Sequence, residues 1–273
     1  MLRRLLGPFA GAAAWHLAPM GYRREISGIA GRAAQCREAW RPHLEATRRV
    51  IETAAQACAR RRTVLLVGSG LLLDVPLARL SGAFERVILA DIVHPRQTRK
   101  QARAYANVEL VQVDVTDIAR PVFDHVRKGR HGALPSGRPD HFLNQDIDLV
   151  VSVNLLSQLA VIPCSYLRAK RPSLPREDLE RFERQIVETH LRWLARFAGR
   201  VALITDYERE EQGADGALYR KNILGGLELP PFEESWVWRI APRGTVFRDL
   251  DVRHKVAAYS DFPKQHFTAT ETS

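Results

Sequence analysis

The stretch "TVLLVGSGLLLDVPLARLSG", residues 63–82, decides how the rest of the chain is read. Thr63 to Gly68 is a continuous apolar run, the pattern of a strand buried on both faces rather than one. It stops at Gly68-Ser69-Gly70, where two glycines allow a sharp turn and close backbone approach. "LLLDVPLARL" then predicts a short helix in which Pro76 is tolerated only near the start. A buried strand, a glycine turn and a helix together open a wound α/β sheet, and the sequence repeats that alternation downstream.

Further strands are expected at Arg86–Asp91 ("RVILAD"), Val108–Asp114 ("VELVQVD"), Ile147–Asn154 ("IDLVVSVN") and Val201–Asp206 ("VALITD"). A helix opens at Pro95, a favoured residue for a first turn. Before the fifth strand a long amphipathic helix buries Leu179, Phe182, Ile186, Trp193 and Phe197, with Ser173 as its cap, Glu177 and Asp178 at its positive end and Gly199 as its stop. His190 belongs at the edge of that stripe. Between Asp114 and Asp146 the second half is rich in Gly, Pro, Arg and His and has no period, so this region reads as a surface loop or insertion. After Asp206 no helical pattern separates "ESWVWRIAP" from "RHKVAAYSDF", and these two runs should pair antiparallel. The expected fold class is α/β: a doubly wound, mostly parallel, seven-stranded sheet closed by a C-terminal antiparallel pair, with an N-terminal helical segment.

That segment spans residues 22–61, where Leu44, Thr47, Val50, Ile51, Ala54 and Ala55 make one apolar stripe and Pro42 suits a first turn. Before it, Leu5–Met20 is uncharged after a basic start, but Gly7, Pro8, Gly11, His16 and Pro19 break the run, which is too short for a spanning helix. It reads as a packing or membrane-surface segment of a cytoplasmic protein. The 273 residues can bury a core without staples. The three cysteines, Cys36, Cys58 and Cys164, fit neither a zinc spacing nor a disulfide framework and read as free thiols; no metal site is expected. The formal charge of +10 admits nucleic acid or an anionic membrane surface as partners, although the basic residues are scattered among acids.

In a doubly wound sheet, ligands bind outside the carboxyl ends of the strands. Gly68, Ser69 and Gly70 stand at the first such end. Asp91 ends the second strand about twenty residues on, where an acid can accept from ribose hydroxyls. Asp114 and Val115 end the third, where an acid and an apolar side chain can meet a base; capping a helix is the ordinary alternative for either acid. The G-x-G-x-x-G dinucleotide fingerprint would need glycine at position 73, which is Leu73, and the P-loop pattern is absent.

From Thr63 to Phe262 the chain resembles the class I S-adenosylmethionine-dependent methyltransferases, in strand order and motif order. Their first motif is an acid followed by G-x-G-x-G; here Gly68 and Gly70 match, while Leu66 replaces the acid and Leu72 the third glycine. The resemblance implies a Rossmann-like methyltransferase domain over residues 62–273 behind a helical extension over 1–61, with S-adenosylmethionine held by Gly68, Ser69, Gly70, Asp91, Asp114, Val115 and Asn154. "SVNLLSQL", Ser152–Leu159, resembles the segment flanking the transferred methyl.

Methyl transfer from a sulfonium needs positioning more than a triad. The candidates for catalysis are Asn154 and Asp206, and for substrate contact Gln158 and Tyr207; capping for Asn154 and a solvated strand end for Asp206 are the structural alternatives. Tyr219, Trp236, Trp238 and His254 could line a substrate surface, with core packing the alternative for both tryptophans. The acceptor is unnamed by the sequence, a small molecule being favoured. A non-catalytic methyltransferase-like scaffold, suggested by Leu66 and Leu72, and a membrane-surface or RNA-associated methyltransferase are the other two readings.

Overall fold

The structure is a computed structural model that describes residues 14–268. Eight strands form one sheet: β1 Thr63–Val67, β2 Arg86–Asp91, β3 Val108–Gln112, β4 Leu149–Val153, β5 Arg200–Gln212, β6 Leu218–Asn222, β7 Glu234–Ala241 and β8 Asp251–Tyr259. The order is β3-β2-β1-β4-β5-β8-β7, with β6 on the free edge of β5. The strands from β3 to β5 run parallel, and β8, β7 and β6 are antiparallel to their neighbours. Every residue of β1 and β4 is buried, as their uninterrupted apolar runs require. Each fully buried aliphatic side chain there contributes roughly 1.5–3 kcal/mol.

The helices are α1 Leu17–Met20, α2 Tyr22–Gln35, α3 Arg37–Gln56, α4 Leu77–Ala83, α5 Arg96–Ala102, α6 Ala119–Arg127, α7 Val161–Lys170 and α8 Arg176–Ala195. One core lies between the sheet and α3 and α4, built on Ile51, Leu66, Leu80 and Ile204. A second lies on the opposite face against α8, around Leu65, Ile88, Leu191 and Trp193. A third joins α1, α6 and α7 to the first half of α8.

The sheet has eight strands, not seven. β5 continues six residues past Asp206, beyond the end of β4, and β6 pairs through Glu208–Gln212 with the edge that β4 leaves open, β8 holding the other. All five residues of β6 are exposed, so no alternation marked it in the sequence. Residues 71–76 are loop and α4 starts only at Leu77, because Leu72 is left-handed (φ +57°) and Pro76, with no N–H to give, becomes the N-cap. Pro42 lies inside α3, not in its first turn; the helix begins at Arg37, and Pro42 and the Glu38 carbonyl that loses its partner are both on the exposed face. α8 starts at Arg176 without a side-chain cap, so Ser173 does not cap it. It ends at Ala195, and Gly199 serves a close approach instead: a Cβ there would lie 2.2 Å from the Ile147 carbonyl oxygen. The first half of the 114–146 region is α6, and its second half is irregular. Residues 1–13 of the N-terminal segment lie outside the described residues; among those described, no helix is long and apolar enough to cross a membrane. Cys36, Cys58 and Cys164 are buried free thiols.

Candidate functional site

The tips of β1, β2, β4 and β5 carry three sets of polar side chains. The first is the glycine turn. Gly68 (φ +79°) and Gly70 (φ +46°) both adopt backbone that L side chains resist. The Gly70 amide donates to Asp91 Oδ2 at 2.7 Å, and the Gly70 carbonyl accepts from Thr98 Oγ1 at 2.6 Å. Burial pushes the Asp91 carboxyl above its ordinary range, a rise the Gly70 amide partly offsets. Ser69 is buried, and its Oγ has no partner. Leu72, where a third glycine would stand, keeps the left-handed turn at a cost of about 1–3 kcal/mol and holds it by burying its side chain in the core under α3. Leu66 faces the same core.

The second set centres on Asn154, itself left-handed at φ +47°. It caps nothing. Its Nδ2 donates to Asp74 Oδ2 at 2.6 Å and lies 3.1 Å from His43 Nε2. Burial pushes Asp74 up and His43 down to about 3, so His43 is neutral. Trp236 Nε1 donates to His43 Nδ1 at 3.0 Å. An indole can only donate, so the single proton of neutral His43 belongs on Nε2, where it faces the Asn154 amide. Two N–H groups cannot share that contact. Turning the amide over, with a proton on Asp74, satisfies both His43 and Asp74, and in either orientation one end of the Asn154 amide has no partner. Asp74→Asn should therefore be tolerated, shifting the unfolding midpoint by less than about 5 °C, whereas Asp74→Leu, which removes the partner of a buried amide, should cost about 1–3 kcal/mol. Equal losses in thermal unfolding of the two variants would contradict a protonated Asp74.

The third set is Ser157, Asp206 and His254. Asp206 Oδ1 accepts from Ser157 Oγ and Oδ2 accepts from His254 Nδ1. Asp206 is 1% exposed, so it is no solvated strand end. Burial alone would raise its pKa, but the His254 and Ser157 bonds outweigh it and hold the carboxyl below the ordinary range. The two buried sets meet at Trp238, whose ring stacks on His43 (4.0 Å, 5°) and stands edge-on to His254 (6.1 Å, 80°). α3 roofs the cluster: Trp40 packs on Trp238 at 5.0 Å and donates to the Ile240 carbonyl at 2.9 Å, and Arg48 donates to the Leu73 carbonyl in the glycine loop.

Gly70 and Asp91 thus come together, as do Asn154, Asp206 and the aromatic wall. Asp114 stands apart. Its Oδ1 accepts from Thr116 N and Oγ1, and its Oδ2 from Ile118 N and Ala119 N, so it closes the turn into α6. Val115 is buried in the core against α8. Gln158 Nε2 donates to Ser157 Oγ at 3.2 Å, at the rim of the Asp206 set. Strand alternation carries Tyr207 to the face opposite Asp206, against Phe232. Asp74 and His43 were not read as site residues. The signal for His43 was its place on a helical stripe, three residues after Trp40, where an ionisable side chain is buried with the apolar ones. Among the described residues no group of three or more His, Cys, Asp or Glu could hold a metal ion.

No family model and no curated protein matches the chain. Solved structures do. A Burkholderia thailandensis 1,6-didemethyltoxoflavin N1-methyltransferase with its substrate and S-adenosylhomocysteine is 16% identical, with 92% of each chain covered and a TM-score of 0.40. A Leishmania major S-adenosylmethionine-dependent methyltransferase is 12% identical over 89% of this chain and 82% of its own, at 0.38. The Bradyrhizobium japonicum N-methyltransferase NodS with S-adenosylhomocysteine is 11% identical over 80% and 86%, at 0.36. At TM-scores this low, the likeness bears on no side chain; the strand order of the sheet and the sets at its tips are what this protein itself offers.

Proposed function

We propose that this chain is an S-adenosylmethionine-dependent methyltransferase acting on a small molecule. The observation that carries the reading is the clasp between Gly70 and Asp91 at adjacent parallel strand tips, with two buried polar atoms beside it, Ser69 Oγ and one end of the Asn154 amide, left for a ligand. Those residues fit the cofactor. Asp91, with capacity left on its carboxylate, would take the ribose hydroxyls, the Ser69–Gly70 backbone would lie along the adenosine, and Asn154 would meet the amino-acid end, which offers both a donor and an acceptor. Asp114 is not counted among them, since its oxygens serve its own turn. When bound, the cofactor supplies an already activated methyl group.

This chain's own residues would contribute position. Well-oriented reactants can gain up to about 7–11 kcal/mol. Asp206, held ionised, is a weak proton acceptor and serves to orient His254 and Ser157; His43, at about 3, is likewise a weak base. This suits an acceptor that needs no deprotonation at neutral pH. The α3 roof over the tips favours a compact acceptor over a macromolecule.

Titration of S-adenosylhomocysteine by calorimetry tests the reading. Asp91→Ala should weaken binding at least tenfold with the fold intact, and unchanged affinity would overturn the assignment. The buried Leu66 and Leu72 and the committed Asp114 favour one competing reading, a non-catalytic scaffold. It predicts that the wild-type protein binds no better than millimolar.

A further inference from the structure

On the layer away from this site, the C-terminal end of α6, the loop that follows it, the end of α7 and the first turns of α8 line a half-open surface cavity of about 570 Å³. That is within the range of small-molecule sites, roughly 300–1,000 Å³. Its polar wall is basic: Arg130, Arg171 and Arg181 line it beside His131, with a single acid, Asp178. Asp178 is already committed to Arg181. Arg171 donates to the Arg130 carbonyl oxygen, and among the described residues neither of these two arginines is ion-paired with an acid. His125 reports the field inside. Burial lowers its pKa first, and Arg171, Arg130 and His131 all push it the same way. Two guanidinium groups without an acidic partner thus face the same cleft, a place where an anion would meet paired donors. The opening turn of α8, whose N-cap Pro175 provides no capping side chain, adds backbone donors at the same wall. The remaining wall is apolar, formed by Leu134, Leu167, Leu174 and Phe182.

We infer that this cavity is a second binding site, for an amphipathic anion: a phosphate monoester whose head group sits between Arg130 and Arg171 and whose apolar part lies along Leu134, Leu174 and Phe182. Guanidinium groups suit the head group because their fork of donors matches phosphate oxygens. The mixed wall distinguishes such a ligand from inorganic phosphate, which would use only half of it. None of these residues belongs to the strand-tip cluster, so the inference stands whether or not that cluster binds a cofactor. The phosphate can come from a free metabolite or from a lipid head group.

Calorimetric titration with hexyl phosphate and with inorganic phosphate, alongside co-sedimentation with phosphatidic acid vesicles, tests it on the full chain. Hexyl phosphate should bind at least tenfold tighter than inorganic phosphate, and Arg130→Glu and Arg171→Glu should each weaken it at least tenfold. Both side chains project from loops, so thermal unfolding should stay within a few degrees of wild type and S-adenosylhomocysteine titration should be unchanged. Vesicle binding lost in the same variants, without hexyl phosphate binding, would identify the lipid as the source of the phosphate. Failure of both probes, or equal affinity in the charge-reversed variants, would overturn the site.

Discussion

His254→Ala should destabilise the protein by about 3–5 kcal/mol, the usual cost of leaving a buried charge without its partner. For a chain of this size that is a fall of roughly 6–20 °C in the unfolding midpoint. Asp206 is the reason. Its carboxylate is 1% exposed and stays ionised because the bonds from His254 and Ser157 outweigh burial. Without His254 the Ser157 hydroxyl is the one side-chain donor left to it among those named. The effect should depend on pH with a definite sign. A depressed folded pKa gives stability that is present above the unfolded value, about 3.9, and lost as pH falls through the folded one. The gap between wild type and variant should therefore be widest near neutrality and close in acid, where the stranded carboxyl of the variant is also protonated. Adding Asp206→Asn to His254→Ala should recover part of the loss, a non-additivity expected of side chains in direct contact. Urea unfolding of the two single variants and the double variant at pH 7 and pH 4 measures all of this. A loss that is the same at both pH values would mean that the contact is packing and not charge.

The second large effect is expected at Gly68. Valine there would stand at φ +79° in a backbone region that costs a β-branched residue about 1–3 kcal/mol, and its Cβ would lie 2.8 Å from Leu155 Cβ and 3.1 Å from the Val153 carbonyl oxygen. Overpacking of that kind adds about 1–3 kcal/mol, for a total of roughly 2–6 kcal/mol. From the sequence, this glycine is expected to keep the backbone open for a ligand, and Gly68→Val to abolish cofactor binding for that reason. The neighbour it makes room for is instead the segment after β4, so the variant should lose stability before any ligand is added. Gly70 is the more open of the two, its nearest contact for an added Cβ being 3.8 Å. Urea unfolding of Gly68→Val without ligand decides the point: full stability with binding lost would return Gly68 to the ligand-facing role.

The parallel half of the fold was legible because its strands are buried on both faces and punctuated by turn residues. The expected bounds of β2 match the structure to the residue and those of β1, β3 and β4 to within two, whereas β5 runs six residues past its expected end. What escaped was set by tertiary contact. β6 carries no pattern because it borrows its stability from the overhang of β5. α6 is short and joins a helical layer, so its period was hidden by the irregular loop after it. At the candidate site, Gly70 and Asp91 could be paired by spacing alone, since adjacent parallel tips bring them together. The alliance of His43, Asp74 and Asn154 draws on three distant segments, and no local rule joins them. Asp114 illustrates the opposite error: an acid at a strand tip reads the same whether it faces a ligand or its own turn, and only its four short-range donors tell the two apart.

The roof over the strand tips also bears on how the chain comes to be folded. Trp40 and His43 on α3 are held by Ile240 and Trp236 on β7, some 200 positions later in the sequence. At about 5–20 residues per second of synthesis, α3 leaves the ribosome on the order of 10–40 s before the strand that covers its indole exists. Through that interval its apolar stripe has only earlier-made neighbours to rest on, and closing so long a loop is slow even once β7 arrives. The roof contacts thus cannot form before β7 has been made, and a nascent chain or one shortened before β7 would carry the glycine turn while leaving the Trp40 face of α3 uncovered.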